Sequence, residues 1–418
     1  MTGSSVPGSD DPRPASPVIG VVGAGIMGSG IAQVGLEAGD EVLLHDVDEA
    51  AIARATDRIR DGLTRRAARL DLDPDTIDDW VDGRLVRLRA ATTLDQVGEE
   101  ADVVIEAALE SLDLKQTIFR TLDAAAAPAT ILATNTSALS IEAIASATTH
   151  PERVVGLHFF NPAALMALVE VVAGPATDPG VVDAAVALVE RWGKTAVRSA
   201  DAPGFIVNRV NRPFTIRALR LVETGRATVE AIDLALREAG FPMGPFELMD
   251  LAGLDVNLAA AQGVWEGLGH PERLRPSPIQ DQLVAAGDLG RKSGAGFYAY
   301  DPGGRRGDTR ALPASGGASG GASGAEEAGV AAPVALTAAD IRDRVLLPIV
   351  DEAFRARAAG VASTADIDVA LRLGAAHPVG PFERATSFGG AVAVAARLRE
   401  LAADDATLAP SEALVAEA

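Results

Sequence analysis

The sequence predicts an α/β fold in which a mostly parallel, doubly wound sheet is followed by an all-helical domain present in two copies. Residues 18 to about 200 alternate short apolar, β-branched runs with alanine-rich helical patterns, which is the sequence form of βαβ units. From Pro203 onward the pattern is helical, with few strand signals until Gly296–Tyr300. Parts of the helical pattern then recur farther along the chain, which indicates a duplication.

The strands of the predicted sheet are short apolar runs, most of them separated by helical patterns or turn residues. Their residues are mostly valine, isoleucine and leucine, as expected of strands buried on both faces of a sheet. We expect these strands at Val18–Val22, Glu41–His45, Leu85–Ala90, Val103–Ala107, Ile131–Thr134, Val154–His158 and Leu168–Val172.

The helical repeat is visible in two segments. Ala231–Arg237 is echoed by Asp366–Arg372 at an offset of 135 residues, and Gly244–Glu247 by Gly380–Glu383 at an offset of 136. A helical unit with an exposed apolar face commonly pairs with an identical unit, and an in-chain copy can supply that contact. We therefore expect the two copies to pack on each other, in a monomer or a homodimer.

The composition changes along the chain and divides it into five segments. We expect a disordered tail over 1–17, a nucleotide-binding domain over 18–200 and a first helical domain over 201–301. Residues 302–336 are dominated by Gly, Ala and Ser and read as a flexible linker, and residues 337–418 form the second helical copy.

Charge and cysteine content exclude several classes of function. The 418 residues carry 37 Lys and Arg against 58 Asp and Glu, so the net charge of −21 repels a nucleic-acid backbone. The chain has no cysteine, and hence no disulfide or thiolate metal site; no metal site is predicted. No secretory signal is visible, and the uncharged stretch Ser16–Leu36 holds six glycines, which favours a buried strand, turn and helix over a membrane span. A cytoplasmic location fits best.

A glycine-rich turn follows the first predicted strand. Gly23, Gly25 and Gly28 form a G-x-G-x-x-G pattern that opens a helix, and Ile26 and Met27 complete its first turn. In Rossmann-type sheets these glycines allow the tight turn, the approach of a pyrophosphate and close helix–strand packing. The alternative is a purely structural glycine turn.

An acidic residue closes the next predicted strand. Asp46 lies eighteen residues after Gly28, where a carboxylate accepts a ribose 2′-hydroxyl and repels a 2′-phosphate. The pattern therefore favours NAD over NADP as the cofactor.

A histidine and a glutamate lie on two adjacent predicted strands. His158 ends one strand, and Glu170 lies in the middle of the next, flanked by aliphatic residues. A buried carboxylate needs a partner, and a glutamate that holds one imidazole nitrogen leaves the other facing a substrate as a general base. The alternative is a core histidine paired with a structural glutamate.

Several motifs together resemble the 3-hydroxyacyl-CoA dehydrogenase family over nearly the whole predicted ordered length. These motifs are Gly-Ala-Gly-Ile-Met-Gly-Ser-Gly-Ile-Ala (23–32), Ile-Glu-Ala-Ala-Leu-Glu (105–110) with Lys115, Thr-Asn-Thr-Ser-Ala-Leu (134–139), His-Phe-Phe-Asn-Pro (158–162), Leu-Val-Glu-Val-Val (168–172), Pro-Gly-Phe-Ile-Val-Asn-Arg (203–209) and Gly-Arg-Lys-Ser-Gly-Ala-Gly-Phe-Tyr (290–298).

The resemblance implies roles for individual residues. It makes His158 the catalytic base and Glu170 its partner, with Ser137 and Asn208 touching the reacting oxygen. In the second helical copy Asp343 stands where Asn208 stands in the first, so we expect that copy to serve packing. Besides the glycine turn, the implied cofactor contacts are Asp46, Glu110, Lys115, Asn161 and Lys292.

Structural roles remain open for these polar residues. Ser137 could cap the helix that begins near Ile141, and Asn208 could be an ordinary capping or turn residue. Glu106 and Glu110 could be solvated charges at a strand end, and Lys115 a surface residue.

A basic patch in Arg58–Arg69 suits the phosphates of an acyl-CoA substrate. The resemblance places CoA contacts in this region, and we assign them to Arg65, Arg66 and Arg69. The alternative is a solvated helix surface.

Taken together, the motifs predict NAD-dependent oxidation of an (S)-3-hydroxyacyl-CoA, with a short acyl chain as in 3-hydroxybutyryl-CoA. Two alternatives stay open at this point. One is a related dehydrogenase that acts on a free hydroxy acid or sugar acid, and the other is a non-catalytic NAD-binding protein.

Overall fold

The computed structural model describes residues 16–313 and 336–418, which form two compact units. The first unit runs to Thr136 and also contains Ile141–Met166 and Ala176–Lys194. The second contains Ser137–Ser140, Ala167–Pro175 and the chain from Thr195 onward. The predicted tail up to residue 15 and the predicted linker over 314–335 lie outside the described residues.

The first unit is built on a parallel sheet whose strands have the order β3-β2-β1-β4-β5-β6. This is the strand order of a doubly wound α/β sheet, as the sequence predicts. Most residues of β1, β2, β4, β5 and β6 are buried aliphatic side chains that form the core. The strands are β1 (Val18–Val22), β2 (Glu41–His45), β3 (Leu88–Ala90), β4 (Val103–Glu106), β5 (Ile131–Thr134) and β6 (Val154–Phe159).

Helices connect these strands, and one of them shortens a predicted strand. The strand predicted at Leu85–Ala90 is only Leu88–Ala90, because the preceding helix continues to Leu85. The helices of this unit are α1 (Ile26–Ala38), α2 (Glu49–Arg69), α3 (Ile77–Leu85), α4 (Leu94–Glu100), α5 (Leu112–Ala125), α6 (Ile141–Ala145) and α7 (Pro179–Arg191).

The second unit contains two parallel strands, β7 (Leu168–Ala173) and β8 (Thr195–Ala200), and a large set of helices. The sequence predicts one boundary near residue 200, which stays a prediction. By compactness β7 and β8 group with the helices, and both strands pack against α15. The helices are α8 (Val207–Val210), α9 (Arg212–Glu223), α10 (Val229–Glu238), α11 (Pro245–Ala252), α12 (Leu254–Gly267), α13 (Pro278–Ala285), α14 (Ala338–Ala358), α15 (Thr364–Gly374), α16 (Pro381–Ser387), α17 (Gly390–Ala402) and α18 (Glu412–Val415).

A short hairpin ends the first helical copy and corrects the predicted start of the linker. β9 (Tyr298–Tyr300) pairs in antiparallel fashion with β10 (Arg306–Thr309). The sequence places the flexible linker from residue 302, and this is wrong for residues 306–309, because they form β10. The strand is polar and largely exposed, so it carries no apolar pattern that would reveal it.

The two helical copies pack on each other, as the duplication predicts. α14 of the second copy packs against α8, α9 and α10 of the first. Ion pairs also join the two copies: Arg209 Nε lies 3.1 Å from the buried Glu352 of α14, and the buried Arg217 Nη2 lies 2.5 Å from the half-buried Asp405. Across residues 16–313 and 336–418, no helix has the length and apolar character needed to cross a bilayer.

Candidate active site

The glycine turn after β1 has the geometry that a bound pyrophosphate needs. Gly23 has a φ of +100°, and a Cβ there would lie 2.6 Å from the carbonyl oxygen of Ala107. A Cβ on Gly28 would lie 1.8 Å from the carbonyl oxygen of Gly23, so both positions require glycine. A Cβ on Gly25 would meet no atom within 4 Å, so the turn is open on that side.

The open side of the turn is also the start of α1. No side chain caps this helix, and no acidic residue lies in its first turn. The N–H groups at a helix N-terminus and the helix dipole favour an anion. The residues present therefore fit the pyrophosphate of a dinucleotide.

Asp46 and Arg58 hold the glycine turn from two sides. Asp46 accepts hydrogen bonds from the backbone N–H of Ala24 at 2.7 Å and of Asp48 at 3.0 Å. Arg58 donates to the carbonyl oxygen of Ala24 at 2.6 Å and to Ser29 Oγ at 3.2 Å. The sequence indicates a role in the CoA patch for Arg58, whereas the structure places its guanidinium on the nucleotide turn.

A buried ion pair lies at the end of β4. Lys115 is 1% exposed, and its Nζ lies 2.7 and 2.9 Å from the two carboxylate oxygens of the fully buried Glu106. Glu110 lies 3.4 Å from the same Nζ and accepts a hydrogen bond from Thr136 Oγ1 at 2.6 Å. Glu106 and Lys115 are therefore not solvated surface charges, and Glu110, with 39% of its side chain exposed, is the member of the group that faces solvent.

His158 lies near the end of β6, and the loop that follows it is held by a lysine. His158 is 6% exposed, and its ring centroid lies 4.7 Å from that of Phe160. Lys194 donates to the carbonyl oxygens of Ala163 and Met166, both at 2.7 Å. Burial lowers the pKa of Lys194 below its usual range. No sequence pattern indicates Lys194, because its contacts are 28 and 31 residues away along the chain.

Glu170 is fully buried in the middle of β7. Its Oε1 accepts hydrogen bonds from the backbone N–H groups of Ile206 at 3.0 Å and Val207 at 2.9 Å. Phe205 has a φ of +49°, a left-handed conformation that is uncommon outside glycine. This turn aims two N–H donors at Glu170 and fixes its carboxylate in place.

Ser137, Asn208 and Lys292 also belong to the second unit. Asn208 Nδ2 donates to the carbonyl oxygen of Ser137 at 3.4 Å, so these two predicted substrate residues lie together. Lys292 Nζ lies 2.6 and 2.7 Å from the carboxylate oxygens of Asp255. The hydrogen bond from Lys292 lowers the pKa of Asp255. Asp255 gave no signal in the sequence, because it lies 37 residues from its partner.

The predicted site residues are divided between the two units. The glycine turn, Asp46, Lys115 and His158 belong to the first unit, and Glu170 to the second. The pairing of His158 with Glu170 therefore stays a prediction, as does the approach of Ser137, Asn208 and Lys292 to substrate or cofactor. Asn161 is exposed in the first unit, next to the loop that Lys194 holds.

The predicted CoA arginines line a pocket of about 360 Å³ in the first unit. Arg65, Arg66 and Arg69 form one wall, and Pro162 and Leu165 belong to the opposite loop. Arg66 lies 3.5 Å from Glu37, which is also at the pocket. The three arginines are exposed, as solvated helix residues are, but they share a concave surface that a phosphate group can enter.

Comparison with family models shows which proteins share these features. The model described as "3-hydroxyacyl-CoA dehydrogenase, NAD binding domain" matches residues 18–202, and that described as "3-hydroxyacyl-CoA dehydrogenase, C-terminal domain" matches residues 204–300 and 341–415. The chain belongs to the 3-hydroxyacyl-CoA dehydrogenase family. The predicted family, α/β fold, enzyme class and NAD cofactor are thereby confirmed.

Similar proteins carry names from the same family. The chain is 47% identical over 283 residues, 68% of its length, to the 3-hydroxyadipyl-CoA dehydrogenase of Escherichia coli K12, of which the match covers 58%. It is 43% identical to the mitochondrial hydroxyacyl-coenzyme A dehydrogenase of Rattus norvegicus, over 67% of this chain and 90% of that enzyme. A crystal structure of 3-hydroxybutyryl-CoA dehydrogenase from E. coli K12 is similar over 96% of this chain and 98% of that one, with a TM-score of 0.82 and 35% identity.

Proposed function

We propose that this chain oxidises short-chain (S)-3-hydroxyacyl-CoA, such as 3-hydroxybutyryl-CoA, to the 3-oxoacyl-CoA with NAD. The observation that carries the proposal is the buried carboxylate of Glu170, fixed by two backbone N–H donors, in a family member that also keeps His158, Ser137 and Asn208. A non-catalytic NAD-binding protein has no need for these four residues together.

In the proposed reaction, His158 is the general base. Its imidazole removes the proton from the 3-hydroxyl group, and in the reverse direction the imidazolium returns it. Glu170 positions the imidazole and stabilises the imidazolium, because an anion held by backbone donors cannot turn away from its partner. The Ser137 hydroxyl and the Asn208 amide donate to the substrate oxygen and stabilise the charge that develops there.

The cofactor side of the proposal rests on the glycine turn. NAD, when bound, accepts the hydride that leaves C3. The turn around Gly25, with Ile26 and Met27, receives the pyrophosphate at the N-terminus of α1, and Asp46 accepts the ribose hydroxyl. The remaining proposed cofactor contacts are Glu110, Lys115, Asn161 and Lys292. Because Lys115 is buried between two glutamates, its proposed part is to hold Glu110 for the cofactor.

The CoA phosphates are assigned to Arg65, Arg66 and Arg69. Their pocket gives these cations a common surface, and guanidinium groups suit phosphate because they donate in pairs. We further propose a cytoplasmic location. We also propose that the protein is a monomer or a homodimer, since the second helical copy covers a face of the first within one chain.

The direct test is NADH absorbance with 3-hydroxybutyryl-CoA. We expect turnover with NAD, and a loss of about 10²–10⁴-fold in His158→Ala, as is typical when a general base is removed. Glu170→Gln keeps the side-chain volume and is expected to lower kcat more than it changes KM. Equal rates for the wild type and His158→Ala would contradict the base assignment.

Further substrates separate the proposal from its alternatives. Oxidation of free 3-hydroxybutyrate or gulonate without oxidation of any CoA thioester would remove the CoA assignment. If fluorescence shows that NADH binds but no substrate is turned over, the protein is a non-catalytic NAD-binding protein. A series of 3-hydroxyacyl-CoA substrates from C4 to C16, with NAD and NADP, measures the chain length and the cofactor preference.

A further inference from the structure

Arg212, the first residue of α9, is a buried cation that forms no ion pair with any carboxylate in residues 16–313 and 336–418. The residue is 6% exposed, and within the described part of the chain its Nε has no hydrogen-bond partner. No ion pair to this guanidinium is formed among those residues either. Burial, without any compensating charge, lowers the pKa of Arg212 to about 10. An uncompensated buried charge is unfavourable, which points to an anion supplied from outside the chain.

Other buried arginines of the same unit differ in having a carboxylate partner, although Nε of Arg217 and of Arg344 also has no hydrogen-bond partner among the described residues. Arg209 pairs with Glu352 at 3.1 Å, Arg217 with Asp405 at 2.5 Å, and Arg344 with Asp404 at 2.7 Å. The helical unit therefore supplies carboxylates to the arginines that serve its packing. Arg212 has no such carboxylate partner among residues 16–313 and 336–418, although α9 packs against α8 and α14, which carry Arg209 and Arg344.

The position of Arg212 links it to the substrate residue Asn208. α8 and α9 are separated by Asn211 alone, whose backbone N–H still bonds to the carbonyl oxygen of Val207 at 3.0 Å. Residues four apart on a helix lie on one side of it, about 6 Å apart along the axis. Because Asn211 has near-helical backbone angles, Arg212 follows the half-exposed Asn208 by about one helical turn.

The second helical copy shows that this helix does not need an arginine at the position of Arg212. At the offset of 135 residues, Pro213 corresponds to Pro348 and Arg209 to Arg344, so the structural residues are kept. Arg212 corresponds to Leu347, which is buried. The copy that lacks the counterpart of Asn208 also lacks the counterpart of Arg212, and this links the arginine to the substrate rather than to the fold.

We propose that Arg212 binds a carboxylate at the far end of the acyl chain, so that the substrate is the CoA thioester of a 3-hydroxy dicarboxylic acid. This inference rests on the proposed function, because Asn208 must hold the 3-hydroxyl oxygen. In a six-carbon diacid two methylene groups separate C3 from the terminal carboxylate. The distance from C3 to this carboxylate, together with the length of the arginine side chain, is comparable with one turn of helix, which separates Asn208 from Arg212.

The experiment compares two substrates that differ in the terminal group, 3-hydroxyadipyl-CoA and 3-hydroxyhexanoyl-CoA. We expect the wild type to show a kcat/KM for the diacid about 100-fold higher, since a buried charge pair of this kind is worth a few kcal/mol. Arg212→Leu, which installs the residue of the second copy, is expected to abolish or invert the ratio. Arg212→Lys keeps the positive charge and is expected to keep part of the preference for the diacid.

The matched control is Arg384→Leu in the second copy. Arg384 is half-buried, its buried Nη2 has no hydrogen-bond partner among the described residues, and its Cζ lies 6.0 Å from the ring centroid of Phe241. The control is expected to keep the wild-type ratio. A wild type that oxidises both substrates equally, or a preference that survives in Arg212→Leu, would overturn the inference and leave the proposed function standing. Failure to oxidise any 3-hydroxyacyl-CoA would instead count against the proposed function.

Thermal unfolding gives a readout that does not depend on turnover. Without ligand, Arg212→Leu is expected to unfold at the same temperature as the wild type or higher, because an unpaired buried charge is removed. 3-Hydroxyadipyl-CoA is expected to raise the Tm of the wild type more than 3-hydroxyhexanoyl-CoA does, and the difference is expected to vanish in Arg212→Leu. A strongly lowered Tm for Arg212→Leu without ligand would show that the arginine serves the fold, and would overturn the inference.

Discussion

The two helical copies, residues 201–301 and 337–418, share their local structural devices. In the first, Asp233 accepts the backbone N–H of Phe246 at 3.0 Å, and in the second, Asp368 accepts that of Phe382 at 2.8 Å. Each aspartate lies on one helix and caps the start of the next. The comparison shows that contacts which hold helices together persist through duplication.

The copies differ where the first is proposed to meet substrate. Asn208 contacts the backbone of Ser137, whereas its counterpart Asp343 accepts a hydrogen bond from Arg397 Nε at 2.8 Å. In the second copy this position is occupied by an aspartate that forms an ion pair with Arg397 of the same copy. Asn208 is polar and uncharged where its counterpart is charged and paired, which makes Asn208 a candidate for function.

Breaking the contact between the copies is expected to have the largest effect on stability. Glu352 is 1% exposed and pairs with Arg209 of the first copy and with Arg273 at 2.9 Å. Glu352→Ala leaves two cations without a partner, and we expect it to lower the free energy of unfolding by about 3–5 kcal/mol. Glu272→Ala is the control, since Glu272 is 61% exposed and exposed pairs contribute less than about 1 kcal/mol. Urea denaturation measures both, and equal losses would contradict the interpretation.

Exchanging the residue types of Asn208 and Asp343 tests whether only the first copy takes part in the reaction. Asn208→Asp replaces a neutral donor by an anion and is expected to lower kcat by about 10²–10³-fold, as loss of an oxyanion donor does. Asp343→Asn makes the reverse change and is expected to leave kcat within about twofold of the wild type, because Asp343 has no proposed part in the reaction. Similar losses in both variants would show that the position is structural in each copy.

The contact between the copies is expected to weaken in acid. His377 of the second copy is bonded to Asn211 Oδ1 of the first at 2.8 Å, is packed against Phe214 and Phe241, and lies near the cation of Arg384. Burial lowers the pKa of His377 from 6.5 to about 3. Below pH 6.5 the imidazole of His377 is protonated in the unfolded chain but stays neutral in the folded chain. The free energy of unfolding therefore falls by about 1.4 kcal/mol per pH unit until the pH reaches the pKa of the folded state.

The measurement is the free energy of unfolding between pH 7 and pH 4.5. Wild type is expected to lose about 3 kcal/mol through this group over that interval. His377→Gln is expected to flatten that part of the profile, and His150→Gln, at a histidine whose side chain is 54% exposed, is expected to keep it. A profile that is unchanged in His377→Gln would rule out this histidine as the cause.

The smallest expected difference concerns the two helix-linking aspartates. Asp233 accepts a hydrogen bond from the Tyr298 hydroxyl at 2.7 Å in addition to two from backbone N–H groups. Within residues 16–313 and 336–418, Asp368 accepts only the two backbone hydrogen bonds. Asp233→Ala is therefore expected to cost about 1 kcal/mol more stability than Asp368→Ala, the net contribution of one hydrogen bond. Urea denaturation of the two variants gives this difference, and a larger cost for Asp368→Ala would reverse the interpretation.

Much of the nucleotide half could be predicted from local sequence. The turn Gly23–Gly28 and the strand that ends before Asp46 lie where the sequence places them, because each depends on the conformational freedom of glycine or on an unbroken apolar run. The strand β8 was missed, since alternate residues are exposed and Arg198 interrupts the apolar pattern. Hairpin strand β10 was missed for the same reason.

Contacts between distant polar residues could not be predicted. Arg58 reaches the carbonyl of Ala24, Lys194 holds the loop after β6, and Lys292 pairs with Asp255. Each is a long, flexible side chain whose partner is chosen by the folded geometry and not by spacing along the chain. That Arg212 Nε has no hydrogen-bond partner within the described part of the chain is likewise visible only once the surrounding helices are in place.

The covalent union of the two helical copies has a consequence for how such a protein can change. When two identical subunits meet, every substitution appears on both sides of the symmetry axis, and a new buried charge has to be tolerated twice. Here Arg212 faces no second Arg212, because its counterpart is Leu347. A substitution can thus change the surface of one helical copy while the surface of the other copy stays the same.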